Sequence, residues 1–560
     1  MKRLLGCLLV MGMVGCGSPL EETSVAGLEK HGTKPTKVRV SFDIFDVTNG
    51  TPTPAMICLR SRDDDTVRLP PDGRVMREVG KTKAFYEGIA YDGQDPGWIG
   101  PIRMMNGKGD NSDRSYVYED LPSVPHWREP IAHQAKSRFS VELEPGDYRL
   151  SVSRGMEFIP IHKDFTVESG KLAEYTIRLE RWTDLAKLGW YSGDVHVHHP
   201  TQQKSHREFL LRYAEAEDLN VVNVLEMGHH QGTDFKQLGF GKEFREIRGN
   251  YCLVSGQEEP RSTFGHIIGL NTTKLARDLS TYDFYDLAFN RIHAQKGALV
   301  GFAHFSWNGC NLPRGFPWYV STEALDFVEL LQFAKINRPD YYDYLNLGFR
   351  LTAAAGSDIP WGSTIGECRT YVFTGGKKLD IDAWFDGLRQ GHTFVSNGPA
   401  LFFTVDAKIP GSALKPKVGD RLKVHARASG HQTIGLPDRL EIISGEGVVK
   451  SVTRDKTTKG DLTLDFEINA ETSGWITANT ICKNGALAHT TPVYIIVDDR
   501  PTWSPTKGPA LIEKQLDAIV GIEEEFSSKQ SLRAQGVRER LARARAYYSQ
   551  LLAAMRSSAP

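Results

Sequence analysis

The spacing of apolar residues changes character along this chain, and each change marks a different kind of element. Over 37–179 apolar and polar residues alternate with period two, in VRVSFDIFDV, PAMICLRSR, RFSVELEPGDYRLSVSRG and KDFTVESGKLAEYTIRLE. Pro-Gly, Ser-Gly and Asn-Gly pairs punctuate these runs, which is the pattern of a β-sandwich. Its middle, 81–130, is rich in Gly, Pro and aromatics and reads as a long loop insertion. Over 183–398 strand patterns alternate with helical ones. VVNVLEM, YCLVSG, GHIIGL, ALVGFAHF, LTAAAGS and YVFTG are candidate strands; HREFLLRYAEAEDL, YDFYDLAFNRIHAQKG, DYYDYLNLGF and DAWFDGLRQG are candidate helices. Repeated βα units predict a mainly parallel sheet, open or closed into a barrel. The length suits a barrel of about seven or eight units.

Strand patterning returns in ALFFTVDA, RLKVHARA, LTLDFEIN, GWITANTICK and TTPVYIIVDD, predicting a second β-sandwich. The stretch 509–555 is rich in Ala, Leu, Glu and Arg and predicts an amphipathic helical hairpin packed on the body. The resulting division is an N-terminal sandwich (37–182), a βα unit (183–399), a C-terminal sandwich (400–499) and a helical segment (509–555). A chain of 560 residues is too long for one domain on the usual range of roughly 100–200 residues each.

Ahead of these lies MKRLLGCLLVMGMVGCGS, with two basic residues, an apolar run over 4–14 and small residues before a cysteine. That is a secretory signal, and its apolar run is too short to span a bilayer comfortably. MVGC resembles a bacterial lipobox. This makes 1–16 a lipoprotein signal peptide, Cys16 the lipidated first residue, and 17–36 a polar tether. The simpler alternative is cleavage near Gly17 without lipid. The expected location is therefore outside the cytoplasm, anchored to a membrane through one lipidated residue. The formal net charge is −1 with no basic block, which argues against nucleic acid as a partner. Cys58, Cys252, Cys310, Cys368 and Cys482 include no CxxC pair, so neither a disulfide framework nor a thiolate zinc module is indicated. A single disulfide stays open.

The chemistry concentrates at the ends of the βα-unit strands, where functional groups collect in such folds. The first strand, in GWYSGDVHVHHP, brings His196, His198 and His199; VVNVLEM is followed by His229 and His230. Then come Glu258 and Glu259, His266 at the start of the next strand, His304 and Asp358. His196 and His198 are two residues apart and share a strand face, so they can grip one metal ion. Imidazole and carboxylate without thiolate suit zinc, manganese or iron. A carboxylate such as Glu258 can bridge two metals about 3.5–4 Å apart. His199 faces the other way, as a loop or supporting residue. Asp194 is read as orienting the strand or a ligand. His206 and His293, on candidate helices, are read as exposed and without a site role.

The ordered motifs GWYSGDVHVHH, SGQEEP with GHIIGL, AHF, GSD, ECRTYV and RQGHTFVSNGP resemble the PHP superfamily of metal-dependent hydrolases. Within it they are most similar to the CehA/McbA type, over roughly 180–400. The resemblance implies a distorted (β/α)7 barrel with metals at its C-terminal mouth, flanked by β-sandwiches. Carried over, His196, His198, Glu258 and Asp358 hold the first metal, and Glu258 bridges to a second held by His266 and His304. A third metal in many members uses a histidine matching His229 or His230, and another where this chain has Pro360. A centre of two divalent metal ions is the expectation.

The implied activity is hydrolysis by a metal-bound hydroxide. Asp358 accepts the water's proton, and Arg369 is either an electrostatic clamp or an ordinary strand-surface arginine. His392 and Asn397 either line the pocket or serve a turn. The small-molecule substrate leans to a carbamate, ester or amide, because few basic residues converge as phosphate recognition would need. Trp190, Tyr191, Phe305, Trp307, Trp318 and Trp361 suit a planar or apolar group unless they are core packing. The alternatives are a PHP-type phosphoesterase, or a surface-anchored carbohydrate- or ligand-binding protein with a retired barrel.

Overall fold

The computed structural model describes residues 36–64, 67–68, 74–75, 133–229, 232–262, 264–359, 361–362 and 364–557. The signal segment with Cys16, the tether over 17–35 and the insertion over 81–130 lie outside the described residues, as do His230 and Pro360. The chain is a multidomain, mixed α/β protein built around one large curled sheet.

In the middle of the chain the elements run β1 (Trp190–Val197), α1 (Lys204–Ala216), β2 (Val221–His229), β3 (Tyr251–Ser262) and β4 (Gly265–Leu270). They continue as α2 (Tyr285–His293), β5 (Leu299–Phe302), α3 (Leu312–Val320), β6 (Phe327–Gln332), α4 (Arg338–Asn346) and β7 (Thr352–Ala355). Then follow β8 (Arg369–Phe373), α5 (Ile381–Arg389) and β9 (Thr393–Ser396). β1 pairs with β2, β2 with β3, β5 with β6 and β6 with β7 in parallel. The β3–β4, β4–β5, β1–β8 and β8–β9 pairs are antiparallel. The sheet is thus mixed rather than mainly parallel. β3 ends at Ser262 and β4 begins at Gly265, a turn far too short for the crossover of roughly a dozen residues that a parallel pair needs.

The sheet curls until its far end meets its beginning. Beyond β7, the Asp358 N–H donates to the His196 carbonyl (2.7 Å) and the His198 N–H to the Ile359 carbonyl (2.8 Å). β1, β5, β6 and β7 are buried at every position, so both faces are covered and no alternation survives in their sequences. Helix α5 lies so close to β1 that a Cβ at Gly193 would stand 2.3 Å from the Trp384 ring, and the Trp384 indole N–H donates to the Tyr191 carbonyl (3.0 Å). Two elements of this unit were not anticipated. β6, FVELLQ, lacks alternation because it is buried on both faces. α3, LPRGFPWYV, carries Pro in its first turn and Pro317 inside, which masks a helical pattern.

N-terminal to this unit, two sheets enclose one core. Val38–Asp46 lies between Ala173–Leu179 and Arg138–Leu143; Ala55–Ser61 lies between His133–Ala135 and Gly146–Ser153. Phe42 stacks on Phe139 (5.0 Å) and Tyr175 (5.5 Å) between them. A buried ionic junction ties this part to the βα unit. Asp218 accepts from Arg181 (2.8 Å), Arg154 (3.1 Å) and the Tyr251 hydroxyl (2.6 Å). C-terminally, β9 pairs with Leu487–Thr490, so the curled sheet runs without a break into the strands that follow. Ala400–Val405, Arg421–Ser429 and Leu462–Asn469 form a separate sheet over the same core.

The helices Gly508–Ser527 and Leu532–Ser557 fold back on each other and bury Ile519, Phe526, Leu541 and Tyr548 against Phe316 and Tyr344. Among the described residues no helix is long and apolar enough to cross a membrane, and the five described cysteines are free.

His489, on Leu487–Thr490, is fully buried and its Nε2 meets the hydroxyl of Tyr342 on α4 at 2.8 Å. Burial, and then Arg338, push its imidazolium down to about 3. The unfolded chain takes up this proton near pH 6.5 and the folded one does not, so stability falls as pH drops from about 6.5 towards about 3. At roughly 1.4 kcal/mol per pKa unit the full effect is several kcal/mol. Thermal denaturation between pH 7 and 4 should show a shallower loss of Tm for His489→Gln than for wild type. Identical slopes would remove His489 as the cause.

Candidate metal centre

Strand β1 presents His196 and His198 on one face, and the hydrogen bonds on the far side of each ring decide which nitrogen looks inward. The His196 Nδ1–H donates to Glu329 Oε1 (3.1 Å) and the His198 Nδ1–H to the Leu225 carbonyl (3.2 Å). Both Nε2 lone pairs then point at the same place, 3.0 Å apart. Two lone pairs so close repel unless a cation lies between them. Glu258, from β3, and Asp358, beyond β7, supply it with carboxylate oxygens. Glu258 Oε2 is 3.2 Å from His198 Nε2, and Asp358 Oδ1 is 3.2 Å from His196 Nε2 and 3.5 Å from His198 Nε2. Donor atoms about 2.0–2.2 Å from a common zinc ion, disposed tetrahedrally, stand roughly 3.3–3.6 Å apart. The spacings observed here, 3.0–3.5 Å, are those of that sphere slightly contracted.

A second group adjoins the first through Glu258. Its Oε1 is 3.0 Å from His266 Nδ1, 3.6 Å from His304 Nε2 and 3.5 Å from His196 Nε2. His304 donates from Nδ1 to Gln332 Oε1 (2.9 Å), which turns its Nε2 towards His266 Nδ1 (3.1 Å). Cys310 Sγ completes this group, within 4.8 Å of both imidazole nitrogens.

The electrostatics match the geometry. Burial disfavours imidazolium at His196, yet Asp358, Glu329 and Glu258 outweigh it and hold its pKa well above the usual value. Against the burial that lowers all three, Asp358 and Glu258 raise His198, while at His304 and His266 the neighbouring Cys310 sulfur raises most, followed by Glu258, and takes His266 to about 9. Burial opposes ionisation of Glu258, but the surrounding imidazoles hold its carboxyl well below the usual range. The Cys310 residue is exposed while protein crowds its sulfur. That crowding raises the thiol pKa, and His266 and His304 overcome it, drawing it down to about 5. The cluster favours positive charge among its donors.

Backbone conformation sets these groups in place. His304 and Asp358 both sit at positive φ (61° and 54°), a costly conformation for residues with a Cβ, of a kind that concentrates at functional sites. At Gly356, before Asp358, a Cβ would stand 2.5 Å from His196 Cβ and from Glu329 Oε1, so the turn needs glycine there. Asp194 is fully buried and locks β1 to that turn, accepting N–H bonds from His196 (3.0 Å), Ser357 (3.0 Å) and Gly366 (2.8 Å). Burial raises its carboxyl to about 6 against the pull of these donors.

His196, His198, Glu258, His266, His304 and Asp358 are therefore brought together, with Asp194 behind them as an orienting group. Other expectations need correction. Arg369 neither faces the centre nor lies on the surface. Its guanidinium is fully buried and donates to the carbonyls of Glu217 (2.7 Å), Asp218 (3.1 Å) and Gly366 (2.9 Å), because β8 directs it across the root of β1. His206 is buried, not exposed, with its ring 5.9 Å from that of His199. His199 stacks on Phe209 of α1 (5.6 Å) and supports that helix rather than a ligand; burial pushes its pKa down to about 3. Asn397 holds a turn, accepting the Leu487 N–H (2.7 Å). Glu259 points away to Arg277 (2.9 Å). His229 ends β2, but its side chain lies outside the described residues.

Sequence reasoning missed Glu329, Gln332 and Cys310. The first two lie on β6, where polar residues inside an apolar hexapeptide were the available signal. Cys310 follows His304 by a turn whose left-handed residues, Asn308 (55°), Cys310 (54°) and Asn311 (63°), no spacing rule reveals. Of the aromatics, Trp190, Phe305 and Trp318 are core, packed on Phe394, Phe316 and Phe264, and Tyr191 is buried too. Trp361 lies edge-on to His198 (5.4 Å), Phe235 tilts over His198 (5.2 Å), and the half-exposed Trp307 lies 5.9 Å from His304. These rings form an apolar rim.

No family model matches the chain, and no curated protein matches it.

Glu329 also accepts the His304 backbone N–H (2.8 Å), so it braces both groups. Replacing such a support typically costs 10–100-fold in metal affinity. Glu329→Gln should lose zinc to a competing chelator at a concentration lower by about that factor, with an unchanged circular dichroism spectrum. Equal retention would show that Glu329 does not orient the ligands.

Proposed function

We propose that the chain is a metal-dependent hydrolase of the PHP superfamily, similar to the CehA/McbA type, with a two-metal centre in a distorted (β/α)7 barrel. The observation that carries this reading is the shared carboxylate. Glu258 touches His198 through one oxygen, and His196, His266 and His304 through the other. His196, His198, Glu258 and Asp358 would hold one metal, and Glu258, His266 and His304 the other. Bound there, divalent metals supply Lewis acidity, which lowers the pKa of a coordinated water from 15.7 towards about 7.

The residues of the chain do the remaining work. Asp358 Oδ2 lies 3.9 Å from His304 Nδ1. It takes the proton as the water oxygen adds to the carbonyl carbon, and returns it to the leaving oxygen or nitrogen as that bond breaks. Glu329 and Gln332 keep the ligand imidazoles in one tautomer. Trp307, Trp361 and Phe235 exclude water and favour a flat or apolar substituent. Arg277, beside β2 and β3, commits Nε to Glu259 and Nη1 to the Thr233 hydroxyl (2.7 Å), and this partial engagement favours carbamate, ester or amide over phosphate. The lipobox-like MVGC supports an exported, lipid-anchored location for this activity.

p-Nitrophenyl esters, carbamates and phosphates, assayed with added zinc or manganese, test the reading. Turnover should favour the carbonyl substrates, and Asp358→Asn should lower kcat by at least about 10²-fold. Turnover confined to phosphates would replace the substrate class with a phosphoester, and no turnover by metal-loaded protein would favour a binding role.

A further inference from the structure

We propose that Cys310 Sγ is the fourth ligand of the second metal position, beside His266 Nδ1, His304 Nε2 and Glu258 Oε1. The inference rests on the two-metal reading above and deepens it. Without Cys310 this position has two imidazoles and a shared carboxylate, a set that zinc completes with water or with a fourth protein donor, and can exceed by going five-coordinate. The donor atoms of His266, His304 and Cys310 all lie within 4.8 Å of one another. That is the neighbourhood of a common ion.

The approach of the sulfur is built into the backbone. His304, Asn308, Cys310 and Asn311 all adopt positive φ (61°, 55°, 54° and 63°), so the chain winds tightly back towards the two imidazoles. The turn is pinned on three sides. The Gly309 N–H donates to the His304 carbonyl (3.3 Å), the Trp307 indole N–H to Gln332 Oε1 (3.1 Å), and the Asn308 amide to Asp340 Oδ2 (2.6 Å). Gln332 is also the group that orients His304, so one side chain sets both the imidazole and the turn that carries the thiol.

The consequence is selectivity. Thiolate favours zinc or iron over manganese and magnesium, whereas the first position offers only nitrogen and oxygen. The two positions therefore differ in kind, and the second carries an exposed, oxidisable ligand.

X-ray absorption at the zinc edge of the zinc-loaded full chain tests this. The expected spectrum needs a sulfur shell at about 2.3 Å, in a proportion of one sulfur to two zinc ions, beside nitrogen and oxygen at about 2.0–2.1 Å. Cys310→Ser, an exposed substitution, should lose that shell and release one of its two zinc ions at a chelator concentration at least about tenfold lower. In the cobalt-loaded protein the same variant should lose the thiolate-to-metal charge-transfer band. Two bound zinc ions with nitrogen and oxygen alone, unchanged in Cys310→Ser, would overturn the thiolate ligand and leave the two-metal reading intact. Folded wild-type protein that binds no zinc would overturn both.

Discussion

Everything at the mouth of this sheet depends on one buried carboxylate. Glu258 is 2 % exposed, and in so dry a place an ionised carboxylate persists only when paired, hydrogen-bonded or bound to a metal. Its neighbours are four imidazoles, two of which turn lone pairs towards each other across 3.0 Å. Protons can neutralise such a cluster, as the raised imidazole pKa values show, and a divalent cation does so with better geometry. Protons and metal compete for the same nitrogens.

The rest of the fold is arranged to make that convergence rigid. Parallel pairing of β1, β2 and β3 brings their ends to one side, and the hydrogen bonds from Asp358 and to Ile359 bring the far end of the sheet back to β1. Asp194 then ties strand and turn together through three backbone N–H groups. The strain at His304 and Asp358 is sustained by this surrounding network, since neither conformation is one the residue would choose alone. Flanking sheets and the helical hairpin contribute by burying the outer faces, through the Asp218 junction on one side and Tyr548 to the Pro317 carbonyl (2.5 Å) on the other.

The converging imidazoles and carboxylates were legible because strand-end position and period-two spacing are local properties. His196 and His198 share a face for the same reason that His199 does not, and the alternation of Glu258 with Glu259 sends one inward and the other to Arg277. What lay hidden is non-local. Arg369 was ambiguous in sequence because nothing there says that β8 runs antiparallel beside β1, which places the guanidinium under carbonyls of the α1–β2 connection. β6 differs from β5 and β7, equally buried on both faces, in that Glu329 and Gln332 interrupt its apolar run, and both residues were missed with the strand. His206 opens a polar helical turn, and only the packing of α1, through Phe209, against His199 explains its burial. The mixed sheet follows from the short β3–β4 turn, which reverses β4, and from the antiparallel pairs that β8 makes with β1 and β9.

The most direct test of the centre is anomalous diffraction from crystals grown with zinc and, separately, with manganese. Two anomalous peaks should appear on either side of Glu258, about 3.5–4 Å apart, each within coordination distance of its carboxylate. Ordered, well-folded protein with no peak between His196 and His198, even after metal is supplied, would contradict a metal centre at this site.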